Sequence, residues 1–140
     1  MTVKFKRLTP TAQLPRYAHD GDSGMDIYAD QDGEIPCGGS LTVETGLAAE
    51  IPEGFEIQVR PRSGLAAKQG VHAIFGTVDS GYRGHIKVTL FSQLMNYKFK
   101  RGERIAQFVI APTVRADVEE VDEISTETSR GVGGFGSTGK

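Results

Sequence analysis

Three short segments of the chain combine glycine with charge, hydroxyl and aromatic groups beyond what packing requires. The first, Pro61-Arg62-Ser63-Gly64, falls between a strand-like run and a short helix-like run. Backbone amides and a hydroxyl at a helix entry point toward an anion, and the guanidinium fork of Arg62 suits phosphate oxygens. A capped helix entry with a surface arginine is the ordinary alternative. The second, Gly76-Thr77-Val78-Asp79-Ser80-Gly81-Tyr82-Arg83-Gly84, interrupts two apolar runs and predicts a β-hairpin with a polar, glycine-bearing tip. Asp79 there could orient and deprotonate a water beside a metal-bound phosphate, and Tyr82 could floor a sugar or base. An aspartate holding a turn, with a tyrosine covering the end of the fold, is the alternative. The third runs from Arg130 to Gly139, through Gly131, Gly133, Gly134, Phe135, Gly136, Ser137 and Thr138. Its glycines let backbone amides approach phosphate, Ser137 and Thr138 add hydroxyls, Arg130 adds fixed charge, and Phe135 can stack on a base. A plain flexible tail needs neither the arginine nor the phenylalanine.

Other patterns fail their own tests. Gly134 to Lys140 matches the G-x-x-x-x-G-K part of a phosphate-binding loop, but no serine or threonine, helix or buried strand accompanies it. Asp20, Asp22, Asp26, Asp30 and Asp32 suggest a Ca²⁺ loop, but from Asp20 the fifth position is Gly24 and the twelfth Gln31, so the ligand register is wrong. His19, His72 and His85 lack metal-ligand spacing, and each is expected to be a surface or turn residue. Ser63 as a nucleophile would need a positioned base that the sequence does not nominate.

The elements that must position these groups are strands. Val3 and Phe5 alternate with Lys4 and Lys6; Phe55, Ile57 and Val59 with Glu56, Gln58 and Arg60; Ile86, Val88 and Leu90 with Lys87 and Thr89. A period of two marks strands with one buried face. Leu41–Val43, Leu47–Ile51, Val71–Phe75 and Ile105–Ile110 are further candidates, and together they predict an all-β barrel or sandwich. Only Ser63–Gly70 invites a helix, with Ser63 capping its start and Gly70 its end. Apolar patterning fades from about Asp122, which divides the chain into a β-domain over residues 1–121 and a flexible, glycine-rich C-terminal arm over 122–140. Fully extended at ~3.3 Å per residue, that arm spans about 60 Å, enough to reach over a neighbouring subunit.

Bulk properties narrow the classes. The 140 residues fit one domain able to bury roughly 68–70% of its unfolded surface, so no disulfide or metal staple is required. One cysteine, Cys37, cannot form an internal bridge, and the start shows no signal pattern, so a cytoplasmic location is expected. The net charge of -2 and short apolar runs favour neither polymeric nucleic acid nor a membrane. Phosphate recognition must then be local.

In order along the chain, Ser23–Ala29, Pro61–Leu65, Gly76–Gly84, Arg101–Gln107 and Arg130–Gly139 resemble the five motifs of the trimeric dUTPase family. The resemblance implies a jelly-roll-like β-barrel of the β-clip type, a homotrimer with active sites shared between subunits, and hydrolysis of dUTP to dUMP and pyrophosphate. It implies that Asp79 activates the water and that Tyr82 lies beneath the deoxyribose, where a 2′-hydroxyl would clash. Gly76, Thr77 and Val78 would meet the uracil edge with backbone groups, and Lys87 would contact nucleotide. Arg62, Ser63, Gly64 and Gln107 would form the phosphate set, while Arg130, Gly136, Ser137 and Thr138 hold the far phosphate and Phe135 covers the base. Mg²⁺ would be held largely by the phosphates, with Asp26 as a water-mediated partner. The pattern departs from many members at Met25, Ala73, Gly81 and Ser92–Tyr97. Two rivals follow: a dCTP deaminase of the same superfamily, which would need a further acid, and a dUTPase-like binding protein that contacts a regulatory partner.

Overall fold

The computed structural model describes residues 1–139. Ten strands and one helix follow in the order β1 (Lys4–Arg7), β2 (Gly24–Tyr28), β3 (Gly33–Ile35), β4 (Ser40–Glu50), β5 (Phe55–Arg60), α1 (Ser63–Gln69), β6 (Val71–Ala73), β7 (Gly76–Val78), β8 (Ile86–Ser92), β9 (Tyr97–Phe99) and β10 (Arg104–Pro112). They form two four-stranded antiparallel sheets, β1-β4-β8-β6 and β2-β10-β5-β7, and a two-stranded ribbon, β3-β9. The architecture is all-β, as the alternation predicts, and jelly-roll-like, as the family resemblance implies.

The alternation works as burial. In β8 the side chains of Ile86, Val88 and Leu90 are buried while Lys87 is exposed, and in β5 Ile57 and Val59 turn inward between more exposed neighbours. Inward residues from both sheets and the ribbon, among them Ile27, Ile35, Val43, Ile57, Leu90 and Phe108, join in one apolar cluster. Each such side chain removed from water contributes about 1.5–3 kcal/mol, which sets the register of every strand that carries one.

Several local expectations change in three dimensions. Leu41–Val43 and Leu47–Ile51 belong mostly to a single strand, β4, whose pairing with β8 shifts register between Glu44 and Leu47. β2 was not foreseen, although Met25 and Ile27 are buried on alternate positions. The run Val71–Phe75 stops being a strand after Ala73, and Ile74 and Phe75 are exposed. The predicted hairpin has no simple tip: β6 pairs with β8, but between them β7 crosses to pair with β5 in the other sheet. Helix α1 starts one residue early for Ser63 to cap it. Arg62 is the N-cap residue and no side chain caps the start, whereas Gly70 closes the end at φ 65°.

Candidate functional site

The candidate residues gather into three clusters. The first is a cavity of about 360 Å³ lined by Thr77, Val78, Asp79, Tyr82, His85, Ile86 and Lys87. Because β7 is tied to β5 while β8 lies at the centre of the opposite sheet, this cavity sits where the chain passes between sheets. The turn that presents Asp79 is closed by Tyr82 N–H donating to the Asp79 carbonyl at 3.0 Å. Asp79 itself is exposed, so its carboxylate is accessible to a ligand in the cavity. The Tyr82 hydroxyl donates to the His85 carbonyl at 3.0 Å, which lays the ring along the hairpin. A Cβ at position 84 would stand 2.6 Å from the Tyr82 Cζ, so only glycine leaves room for the ring. Lys87 Nζ lies 3.4 Å from Glu44 Oε1, on the neighbouring strand.

A second cluster lies on the β2-β10-β5 sheet. Asp26 is held by two guanidinium groups, Arg62 Nε donating to Oδ1 at 3.0 Å and Arg104 Nη1 to Oδ2 at 3.2 Å, and its side chain is only 16% exposed. Gln107 is register partner to both Asp26 and Arg60, and its Nε2 donates to the Pro61 carbonyl at 2.8 Å. Arg62, Asp26 and Gln107 are therefore brought together, with Ser63 and Gly64 exposed on the following turn of α1. The strand pairing sets this arrangement, because β10 pairs with β2 along one edge and with β5 along the other.

The third cluster is the C-terminal segment. Arg130, Gly136, Ser137 and Thr138, with Ser129, line a concavity of about 500 Å³. Arg130 Nε donates to the Gly133 carbonyl at 2.8 Å, and Ser137 N–H to the Gly134 carbonyl at 3.2 Å. Phe135 projects into solvent from a left-handed backbone position at φ 47°. Among the described residues, the hydrogen bonds made from residue 122 onward stay within that segment. Its concavity takes no residue from the hairpin cavity, and the hairpin cavity takes none from it.

Sequence reasoning missed two contributors. Arg104 lies within a recognised motif, but only the register of β10 against β2 shows that it shares Asp26 with Arg62. His85, expected as a surface or turn residue, does follow the turn but is half-buried and lines the hairpin cavity; His72 stacks on Phe91 with ring centroids 6.2 Å apart. No spacing rule marks either role. Among the described residues no group of three or more His, Cys, Asp and Glu side chains is placed to hold a metal ion, and no helix is long and apolar enough to cross a membrane. Two displaced titrations lie outside the clusters: the Lys4 ammonium, bonded to Glu50, lowers that carboxyl, and burial pushes the Tyr97 phenol up.

Fold and site together define a jelly-roll-like, all-β protein with an exposed carboxylate in a cavity of small-ligand dimensions and a separate arginine cluster. A family model for dUTPase matches residues 11–139. Deoxyuridine 5'-triphosphate nucleotidohydrolase of Gloeothece citriformis is 52% identical over 99% of this chain and 97% of its own length. The Clostridium tetani protein of the same name is 48% identical over the same shares. Among solved structures, a Staphylococcus bacteriophage 80alpha dUTPase with dUPNHPP superposes with a TM-score of 0.92 at 27% identity, covering 99% of both chains. The chain belongs to the dUTPase family.

Proposed function

We propose that this protein hydrolyses dUTP to dUMP and pyrophosphate, with Asp79 accepting a proton from the water that attacks the α-phosphorus. The observation that carries this reading is the single cavity in which Asp79 stands beside Tyr82, Thr77, Val78 and Lys87. In this reading Tyr82 lies under the deoxyribose and excludes a 2′-hydroxyl. Backbone groups of Gly76, Thr77 and Val78 pair with the uracil edge. Cytosine would present a donor where an acceptor is required, leaving buried polar groups unpaired. Arg62, Ser63, Gly64 and Gln107 bind the phosphates, and Lys87 contacts the nucleotide.

The second half of the site comes from the arm. Arg130, Gly136, Ser137 and Thr138, already grouped around one concavity, would hold the terminal phosphate, and the exposed Phe135 would cover the base. We assign residues 122–140 as that closing arm and a homotrimer as the assembly in which one subunit's arm reaches another's hairpin. The donor set suits a hard oxygen-seeking Mg²⁺ only in part. Asp26 offers carboxylate oxygens but is already bonded to Arg62 and Arg104, so the metal would rest mainly on the substrate's phosphates, with Asp26 as a water-mediated partner. When bound, it would neutralise phosphate charge. Acting in the cytoplasm, the reaction limits uracil incorporation into DNA and supplies dUMP for dTMP synthesis.

A pyrophosphate-release assay with dUTP, UTP, dTTP and dCTP, each with and without EDTA, tests the reading. Turnover of dUTP alone, lost with EDTA, is the expected result. Equal turnover of UTP, or ammonia released from dCTP in a parallel incubation, would overturn it.

A further inference from the structure

We propose that His85 is a positioning residue that ties the Asp79–Tyr82 hairpin to a rigid bulge in β4, and that this tie makes nucleotide binding weaken as pH falls. The inference rests on the reading of the hairpin cavity as the nucleotide site.

His85 is engaged through its ring and through its backbone. Its ring Nε2 accepts the Gly46 N–H at 2.9 Å, and its carbonyl accepts the Tyr82 hydroxyl at 3.0 Å. The same residue lines the cavity with Asp79, Tyr82 and Lys87. It is thus the link between the ring expected beneath the sugar and a fixed point in the opposite sheet.

That fixed point is unusually constrained. Gly46 lies in the register shift of β4 at φ 68°, and a Cβ there would stand 2.6 Å from Asp30 Oδ2 and 2.7 Å from the Ala12 Cβ. Its carbonyl accepts Leu8 N–H at 2.8 Å. Beside it, the fully buried Thr45 donates its hydroxyl to the Ile86 carbonyl at 2.5 Å, so the bulge grips the chain on both sides of the His85–Ile86 peptide. Asp30, behind the bulge, receives the Thr9 hydroxyl at 2.5 Å.

A ring nitrogen that accepts a hydrogen bond carries no proton, so this contact requires an unprotonated Nε2. Protonation turns Nε2 into a donor facing the Gly46 N–H, and the bond is replaced by repulsion. Asp79, Tyr82 and Lys87 share the cavity with the ring; Glu44 pairs with Lys87 from β4; Asp30, 3.6 Å from Arg101, stands behind Gly46. The acids favour the imidazolium and Lys87 and Arg101 oppose it, but neither set supplies Gly46 with another acceptor.

The test compares wild type with His85→Gln, whose Oε1 can accept the Gly46 N–H at every pH, and His85→Leu, which cannot. Affinity for a non-hydrolysable dUTP analogue and KM for dUTP are measured from about pH 8 to about pH 5. The Gly46 amide is followed by NMR without ligand. Wild type should lose about threefold to tenfold in affinity on acidification, the worth of one hydrogen bond. His85→Gln should show no such loss, and His85→Leu should be weakened by that factor at all pH values with kcat little changed. A Gly46 resonance that ignores pH in wild type, an acid loss shared by His85→Gln, or normal affinity in His85→Leu would overturn the proposal. If wild type neither binds the analogue nor turns over dUTP, the functional reading fails instead, and the Gly46 titration still decides whether the tie exists.

Discussion

The hairpin cavity and the C-terminal arm carry comparable numbers of candidate groups, yet they are built by opposite means. In the hairpin, each group is fixed by something the fold already needs: β7 by pairing with β5, Tyr82 by its bond to the His85 carbonyl, Lys87 by a place on the central strand β8. From Arg130 to Gly139 nothing is fixed by a sheet, and the candidate groups are held only by turns within the segment itself. Preorganisation therefore resides in the hairpin, where a base must stand within hydrogen-bond reach of a water. In the proposed reading the arm supplies the adaptable part, since a segment that closes over a ligand after it binds would exclude water.

The largest effect should come from the preorganised half. Asp79→Asn keeps shape and removes the base, so dUTP turnover should fall by about 10²–10⁴ while the thermal transition stays in place. Near-normal turnover would remove Asp79 from the chemistry. Deleting residues 130–140 should lower turnover by about 10²-fold, the scale of losing donors preorganised around developing charge. The melting temperature should hold, because the segment buries no apolar core; a collapsed transition would mean that the arm is structural.

Mixing sharpens the contrast between the halves. If the arm closes over another subunit's hairpin, mixed trimers of Asp79→Asn and the arm deletion contain sites with an intact Asp79 and an intact arm. Activity should then rise above that of either parent after subunit exchange. No recovery, with exchange shown by mass spectrometry, would place arm and hairpin in one chain.

Smaller effects test the arginine cluster and the core. Asp26→Ala frees Arg62 and Arg104 from their shared carboxylate. It should cost about 1.5–3 kcal/mol of stability, as for hydrogen bonds to a charged group, and raise KM for dUTP more than it lowers kcat. The smallest concerns Tyr97, whose phenol is pushed up by burial and then by the charge of Glu103. A folded-state pKa above the unfolded one means stability that is present below the ordinary tyrosine range and lost as pH rises through the folded value. Tyr97→Phe should flatten that alkaline loss in denaturant titrations above about pH 10 and leave neutral pH unchanged.

Much of this was legible in one dimension. Alternation located the main strands, since a side chain's face depends only on a period of two. The helix was found between Ser63 and Gly70 because glycine at its end takes the left-handed conformation seen at φ 65°. The roles proposed for Asp79, Tyr82 and Arg130 could be assigned from the sequence because residue type alone decides which group can accept a proton, stack or bind phosphate.

Residue order could not say which strands become neighbours. Whether Gly76–Val78 tips a hairpin or crosses to β5 depends on which sheet edge is open to it. That Asp26 serves two arginines follows from the pairing of β2 with β10, across 78 residues of chain separating it from Arg104. His85 carried no local signal at all: its partner, Gly46, lies 39 residues away and meets it only because a bulge in β4 turns one amide toward the cavity. Sequence determined the groups and their local backbone; long-range pairing, which answers to the shared apolar core and not to neighbours in the chain, decided which of them meet.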